Sequence, residues 1–263
     1  TYCMVYIVLL MIGMNLYTTD ERENKALLIL LSMVICWLTL SRAEMSVCMA
    51  CIVCLISFLP LTQREMLTLS VPMMVVQLLY LIELNYQQAI SVKNVYDSML
   101  TPAIQAIITV ATVGCVIYSF FINSKFFSWI RKKINIIVFA VLPGICIAIY
   151  FLDKEKYVKS IESIIYNFKT QYWGYLPALI LILYIMIVLN KRINFWLIFS
   201  TGYVLINLIL CLGRKHPLRN GYGDSCNRIM MSAIPVVFFA LICSVLEIVA
   251  LRIKENREQE EYK

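Results

Sequence analysis

Residues 213–230, with the sequence GRKHPLRNGYGDSCNRIM, hold the side chains of this protein that are best suited to chemistry. The segment combines four basic residues, the only histidine of the chain and a single acid, and it lies between two long apolar runs. Because it contains Pro217, Gly221 and Gly223, it cannot be helical throughout, and cationic side chains around such a bend can converge on phosphate or carboxylate oxygens. The predicted anion-binding residues are Arg214, Lys215, His216, Arg219, Asp224, Asn227 and Arg228.

This cationic segment has a second interpretation. Basic residues next to an apolar run often do no more than contact lipid headgroups and fix the protein in the bilayer. Residue type and spacing do not separate an anchor from a binding site, so both interpretations stay open at this point.

Four acidic residues are candidates for a catalytic base. Glu83 lies near the end of an apolar run, Asp97 follows in the next polar stretch, and Asp20 and Glu21 form a pair in an early connection. An interfacial carboxylate at a helix end is the alternative for Glu83. The sequence contains no phosphate-binding loop, nucleophile elbow or zinc-protease motif. It predicts no cofactor and no metal site, and it leaves a requirement for a divalent metal open.

The composition excludes a soluble globular domain. Hydrophobic residues make up 61% of the chain and charged residues 15%, and the mean hydropathy is +0.80. A soluble domain with this composition would leave a large apolar surface exposed to water after its single core was filled. The net charge of +7 suits anionic lipids and phosphate-bearing ligands and gives no reason to invoke nucleic acid. We therefore predict a multi-pass protein of the cell membrane, with the lipid bilayer as its first partner.

Apolar runs bounded by charged residues predict an all-α, polytopic transmembrane helix bundle of about nine spans. Open sheets are excluded because lipid offers backbone groups no hydrogen-bond partner, and the runs lack the alternation of a barrel strand. Several runs are shorter than the ~20 residues that a spanning helix needs. The predicted spans are 2–17, 26–40, 46–60, 67–85, 102–123, 134–152, 175–190, 193–212 and 230–251.

The distribution of Lys and Arg predicts the orientation. Basic residues are concentrated in 123–133, in 191–192 and in the tail, which places these connections on the cytoplasmic side. The chain then consists of a transmembrane helical domain, residues 1–251, and a charged cytoplasmic tail, residues 252–263. Its first residue lies outside in this topology, and we expect the chain to be the C-terminal part of a longer membrane protein.

Two of the outer connections have the pattern of amphipathic helices that lie in the membrane interface. Residues 153–174 carry apolar side chains at helical spacing with lysines largely elsewhere, and residues 86–101 show the same pattern more weakly. Such helices roof a cavity in some membrane proteins and only anchor others, and the sequence favours neither role.

The run GDSCNRIM, residues 223–230, followed by an apolar stretch containing Pro235, resembles a known segment. It is similar to the G-D/N-S-A-N-R-M segment before a late helix in bacterial multi-spanning glycosyltransferases of the C superfamily, over about 30 residues. The resemblance implies an enzyme that takes a sugar from a polyprenyl-phosphate donor and attaches it on the outer face. It also implies that Asp224, Asn227 and Arg228 belong to the substrate pocket, with the forked guanidinium of Arg228 on the donor phosphate.

One feature departs from this family. Its catalytic acids lie in the first outer loop, whereas the early acidic pair here, Asp20 and Glu21, falls on the predicted inner side. The sequence therefore predicts a membrane glycosyltransferase, or part of one, that acts on a lipid-linked sugar substrate on the extracytoplasmic face. The alternatives are a polysaccharide polymerase or ligase, and a transporter or flippase for a lipid-linked substrate.

Overall fold

The computed structural model of the chain describes residues 2–19, 24–41, 43–90, 102–170, 175–189, 193–212 and 225–261. Every regular element in these ranges is a helix, as predicted. The helices form two compact units, residues 1–134 and residues 135–263. The predicted transmembrane domain of residues 1–251 thus comprises a complete first unit and most of a second.

The described residues of the first unit contain six helices. They are α1 (Tyr2–Thr19), α2 (Lys25–Ser41), α3 (Ala43–Ile56), α4 (Gln63–Ile90), α5 (Pro102–Phe120) and α6 (Lys125–Lys132). Helix α2 packs against α1, α3 and α4, and α5 packs against α3 and α4. Helices α1 and α2 approach closely at Gly13, where an added Cβ atom would lie 2.5 Å from Cδ2 of Leu31, so a larger residue would require the Leu31 side chain to shift.

A capping box begins helix α4. The backbone N–H of Glu65 donates to the Thr62 hydroxyl (3.3 Å), and the backbone N–H of Thr62 donates to the Glu65 carboxylate (2.6 Å). This reciprocal pair satisfies two of the backbone donors that a helix start leaves without partners.

The predicted span 46–60 ends earlier, at Ile56, because the chain turns through Ser57–Leu59 before Pro60.

Pro72 lies inside helix α4, where a proline lacks the N–H that would bond the carbonyl four residues earlier. That carbonyl belongs to Thr68. The hydroxyl of Ser32, on α2, donates to it at 2.8 Å. A neighbouring helix thus supplies the hydrogen bond that the proline removes, as an apolar environment requires.

The second unit contains α8 (Leu142–Leu152), α9 (Lys154–Thr170), α10 (Leu176–Leu189), α11 (Phe195–Leu212) and α12 (Ser225–Glu261). Short helix α7 (Ile134–Ile136) leads into α8 through a π-helical turn, Ile137–Val141. Helix α11 is the central helix, because 67% of its residues are buried, and it packs against α8, α9 and α12. Helix α12 continues through most of the predicted tail, which begins at residue 252.

Four helices among the described residues are long and apolar enough to cross a membrane, and a fifth is added if α5 and α6 count as one bent span. Four shorter apolar helices accompany them: Cys3–Thr19, Lys25–Ser41, Met45–Ile56 and Leu176–Leu189. A multi-pass membrane protein is therefore supported. Each of the nine predicted runs coincides with a helix for most of its length, while the count of nine crossings stays a prediction.

Candidate functional site

The predicted anion-binding residues fall largely outside the described part of the chain. Arg214, Lys215, His216, Arg219 and Asp224 lie in residues 213–224, which the structure does not describe. Helix α12 begins immediately afterwards, at Ser225, so the backbones of two further candidates form its first turn. These two are Asn227 and Arg228, whose side chains also lie outside what the structure describes.

Of the four predicted candidates for a catalytic base, only one is described. Asp20, Glu21 and Asp97 lie outside the described residues, and Glu83 is exposed near the end of the candidate span Gln63–Tyr86. The exposed position of Glu83 fits the interfacial alternative as well as the catalytic one. The structure therefore brings together no pair of these acids.

An apolar groove lies between α10, α11 and α12. Its volume is about 380 Å³, within the range of roughly 300–1,000 Å³ that is usual for small-molecule sites. Leu181 lines the groove and is also 59% exposed, so the groove opens at the surface beside α10. The remaining lining residues are Pro177, Ile180, Tyr184, Ser200, Thr201, Val204, Leu205, Ala233, Ile234 and Val237.

Small side chains on facing helices make room for this groove. Ser200, Thr201 and Gly202 interrupt the large residues of α11, and Ala233 lies on α12. The sequence analysis missed the groove. The run of small residues in an otherwise bulky helix was the available signal, but it does not reveal which neighbouring helix it faces.

The groove lies close to the cationic segment along the two helices that the segment connects. Leu205 is seven residues before the end of α11, and Ala233 is eight residues after the start of α12. At 1.5 Å per residue, the nearest lining residues, Leu205 and Ala233, are therefore about 10–12 Å from the helix ends that residues 213–224 join in sequence. The predicted phosphate-binding residues and the apolar groove thus belong to one end of one helix pair.

One lining hydroxyl has no hydrogen-bond partner. The Thr201 hydroxyl is buried without a partner among the described residues. The neighbouring Ser200 hydroxyl is satisfied within its own helix, where it donates to the carbonyl of Leu197 at 3.1 Å. Because the Thr201 oxygen is fully buried, a ligand in the groove would not contact it without a shift of the side chain.

Glu247 belongs to a polar network near the beginning of α11. The Asn194 amide donates to its carboxylate at 3.1 Å, and the Ser244 hydroxyl donates to the Asn194 side-chain oxygen at 2.9 Å. The same Asn194 oxygen accepts the backbone N–H of Leu197 at 3.1 Å and so caps the helix start. From the sequence, Glu247 in the last apolar run is expected to form an intrahelical or tail salt bridge. The structure instead gives it this contact with the residue that caps α11.

Gln77 and Gln105 are polar residues inside predicted spans, where an amide is expected to form an interhelical hydrogen bond. The Ser46 hydroxyl donates to the side-chain oxygen of Gln77 at 2.6 Å, which links α3 to α4. The side-chain amides of Asn85 and Gln105 form a reciprocal pair, each at 3.1 Å, which links α4 to α5. Both amides therefore connect helices of the first unit.

Helix α9 occupies most of the predicted amphipathic stretch 153–174. Its apolar side packs against α11 through Ile161 and Ile164, while Lys159 forms an exposed ion pair with Glu155. The hydrogen bond from Lys159 to Glu155, followed by the attraction between the two charges, raises the pKa of this lysine. The helix is confirmed, and its location in the interface stays a prediction.

The described residues contain no group of three or more His, Cys, Asp or Glu side chains placed to hold a metal ion. Nine of the ten cysteines lie in these residues, and they form no disulfide there.

Comparison with known proteins finds no match among family models, curated proteins or solved structures. The candidate site therefore rests on the groove and on the adjoining cationic segment.

Proposed function

We propose that this protein binds a lipid-linked phosphate substrate, with the lipid chain in the groove between α10, α11 and α12 and the phosphate at the cationic residues 213–230. The observation that carries the proposal is a laterally open apolar groove whose nearest lining residues on α11 and α12 lie about 10–12 Å from the helix ends that the segment rich in Arg and Lys joins in sequence. A substrate with an apolar tail and an anionic head matches both parts, whereas a headgroup anchor needs only the second.

The chemistry of the two parts supports a polyprenyl phosphate in particular. An isoprenoid chain has no hydrogen-bonding group, so the apolar wall can enclose it without leaving a ligand polar atom unpaired. The guanidinium of Arg228 can bond two phosphate oxygens at once, and it is carried by the first turn of α12, where a helix start also favours an anion.

The reaction that we propose is transfer of a sugar from this donor on the extracytoplasmic face of the cell membrane, in agreement with the resemblance of residues 223–230. Such a transfer needs a carboxylate base to deprotonate the acceptor and cations to stabilise the departing phosphate. The second requirement is met by residues 213–230 in this proposal. We therefore expect the chain to bind the donor even where it does not catalyse transfer by itself.

Binding of polyprenyl phosphate to the purified protein in detergent tests the proposal. Ala233→Phe should weaken binding about tenfold or more, because the phenyl ring would occupy the part of the groove that we propose holds the isoprenoid chain. The matched control is Leu246→Phe, also on α12, at a side chain that is 62% exposed and outside the groove. Equal affinity of the wild type and Ala233→Phe would refute the proposal, provided both fold.

Thr201→Val is a second control for the groove. The substitution keeps the shape of the side chain and removes a hydroxyl that is buried without a partner in the described part of the chain. Because the hydroxyl oxygen is not exposed to the groove, the affinity for the isoprenoid chain should be unchanged. A loss of affinity would show that binding depends on the packing around Thr201 and not on the surface of the groove.

A further inference from the structure

Helix α6 turns sharply away from α5. The two axes meet at 104°, after a short connection in which the Ser124 hydroxyl accepts the backbone N–H of Phe127 and caps α6. Helix α5 has 19 residues, which gives a length of about 28 Å, close to the thickness of about 30 Å of a hydrocarbon core. If α5 follows the membrane normal, α6 lies within about 14° of the membrane plane.

One side of α6 is held by the first unit. Phe127 makes an edge-to-face contact with Tyr118 on α5, with ring centroids 5.4 Å apart. The guanidinium of Arg131 donates to the carbonyls of Leu59 (2.6 Å) and Leu61 (3.3 Å) in the turn after α3. Phe127 and Arg131 are four residues apart, so they define one face of the helix and fix its rotation.

The other side of α6 exposes two large aromatic residues beside three lysines. Phe126 is 64% exposed and Trp129 is 60% exposed. At 100° per residue, Lys125 lies next to Trp129 around the helix and Lys132 lies next to Lys125, while Lys133 is the C-cap residue of α6. All three lysines are exposed. Aromatic side chains next to lysines are the residues that occupy the boundary between acyl chains and headgroups.

No acid offsets this charge along the neighbouring sequence. From residue 98 to residue 152 the chain contains no Asp or Glu. With Arg131, residues 125–133 carry four cations. The exposed face therefore matches a partner that is apolar on one side and anionic on the other. A leaflet with anionic phospholipids has both properties at the level where α5 ends.

We propose that α6 is an interfacial helix that binds anionic phospholipid headgroups through Lys125, Lys132 and Lys133, with Phe126 and Trp129 inserted among the adjoining acyl chains. The sequence analysis assigned residues 123–133 to a cytoplasmic loop and assigned no such helix there. The proposal does not depend on the function of the groove.

Trp129 makes the proposal measurable in the full-length protein. The other three tryptophans, Trp37, Trp173 and Trp196, are replaced by phenylalanine, and the protein is reconstituted in vesicles of phosphatidylglycerol and phosphatidylcholine. Bromine on the acyl chains of one lipid at a time quenches Trp129 when that lipid is its neighbour. Since one lysine near a surface raises the affinity for an anionic lipid roughly fivefold, phosphatidylglycerol should be preferred at Trp129 by at least about this factor.

Two comparisons assign the preference to α6. The variant with Lys125, Lys132 and Lys133 all changed to Gln should lose the preference, while a control with Lys25, Arg252 and Lys254 changed to Gln should keep it. In the unsubstituted helix, raising the salt from about 0.05 M to about 0.5 M should weaken the preference, because exposed charges are screened. Equal quenching by the two lipids at low salt would overturn the proposal, as would a preference that survives the triple substitution in α6.

Discussion

The hydrogen bond between Tyr17 and Glu65 allows a quantitative test of how the first unit is held together. The Tyr17 hydroxyl donates to the Glu65 carboxylate at 2.8 Å, and Tyr17 is only 2% exposed. The other oxygen of the same carboxylate accepts the Thr62 N–H in the capping box of α4. Glu65 thus joins α1 to the start of α4.

A double-mutant cycle separates these two roles. Hydrogen bonds to a charged group contribute about 1.5–3 kcal/mol, and an N-terminal cap about 1 kcal/mol. Tyr17→Phe should therefore reduce the free energy of unfolding by about 1.5 kcal/mol, and Glu65→Ala by about 2.5 kcal/mol because the hydrogen bond from the Thr62 N–H to the carboxylate is lost as well. The double variant should lose about 2.5 kcal/mol, which gives a coupling energy of about 1.5 kcal/mol.

Unfolding in mixed detergent micelles, followed by helical circular dichroism, provides the four free energies. Tyr6→Phe is the matched control, since Tyr6 lies on the same helix and contacts Trp37 through its ring. It should change the free energy of unfolding by less than about 0.5 kcal/mol. A coupling energy between Tyr17 and Glu65 below about 0.5 kcal/mol would show that the contact between α1 and α4 does not stabilise the unit.

Three further predictions follow from single contacts and from the sequence. Ser32→Ala should cost about 1 kcal/mol of unfolding free energy in the wild type and almost nothing beside Pro72→Ala, whose restored N–H can bond the Thr68 carbonyl; equal costs in the two backgrounds would contradict this explanation. An impermeant maleimide should label Cys226 in intact cells but not a cysteine introduced in α6, and the reverse pattern would invert the predicted topology. Arg228→Lys should weaken donor binding at least about tenfold and Arg214→Lys much less, because an ammonium cannot form the forked contact; equal, near-normal binding would favour a headgroup anchor.

The helices of this protein could be predicted from the sequence because apolar runs and charged boundaries determine them. The ends were less predictable where local hydrogen bonds decide. The third helix stops at Ile56 before a turn, and the predicted span 102–123 ends at Phe120, after which Ser124 caps a new helix. Residues 123–133 were predicted to be a loop because they are rich in cations. The helix that they contain, α6, has only eight residues, and its aromatic residues are interspersed with lysines, so no long apolar run marks it.

Polar contacts between helices were predictable in kind but not in partner. Gln77 and Gln105 were expected to bond other helices, and they do so with Ser46 and Asn85. The expectation that Glu247 forms a salt bridge overlooked Asn194, which caps α11 and reaches a helix more than fifty residues later in the chain. Helical periodicity identifies the face of a polar residue, whereas its partner depends on which helices pack together.

The groove illustrates the same limit for the candidate site. The cationic segment was evident from residue types, while the space between α10, α11 and α12 arises from three helices whose packing no local pattern records. Small residues in α11 and α12 mark positions where space can form. Whether that space remains open depends on side chains of α10, such as Tyr184.

Photolabelling tests the central claim most directly. A polyprenyl phosphate with a photoreactive diazirine in its isoprenoid chain is irradiated with the reconstituted protein, and the labelled peptides are identified by mass spectrometry. We predict adducts in Ser200–Leu205 of α11 and Ala233–Val237 of α12, which line the groove, and their loss in Ala233→Phe and in the presence of excess unlabelled polyprenyl phosphate. Labelling spread over the lipid-exposed residues of α10 and α12, unchanged by either the substitution or the competitor, would contradict the account.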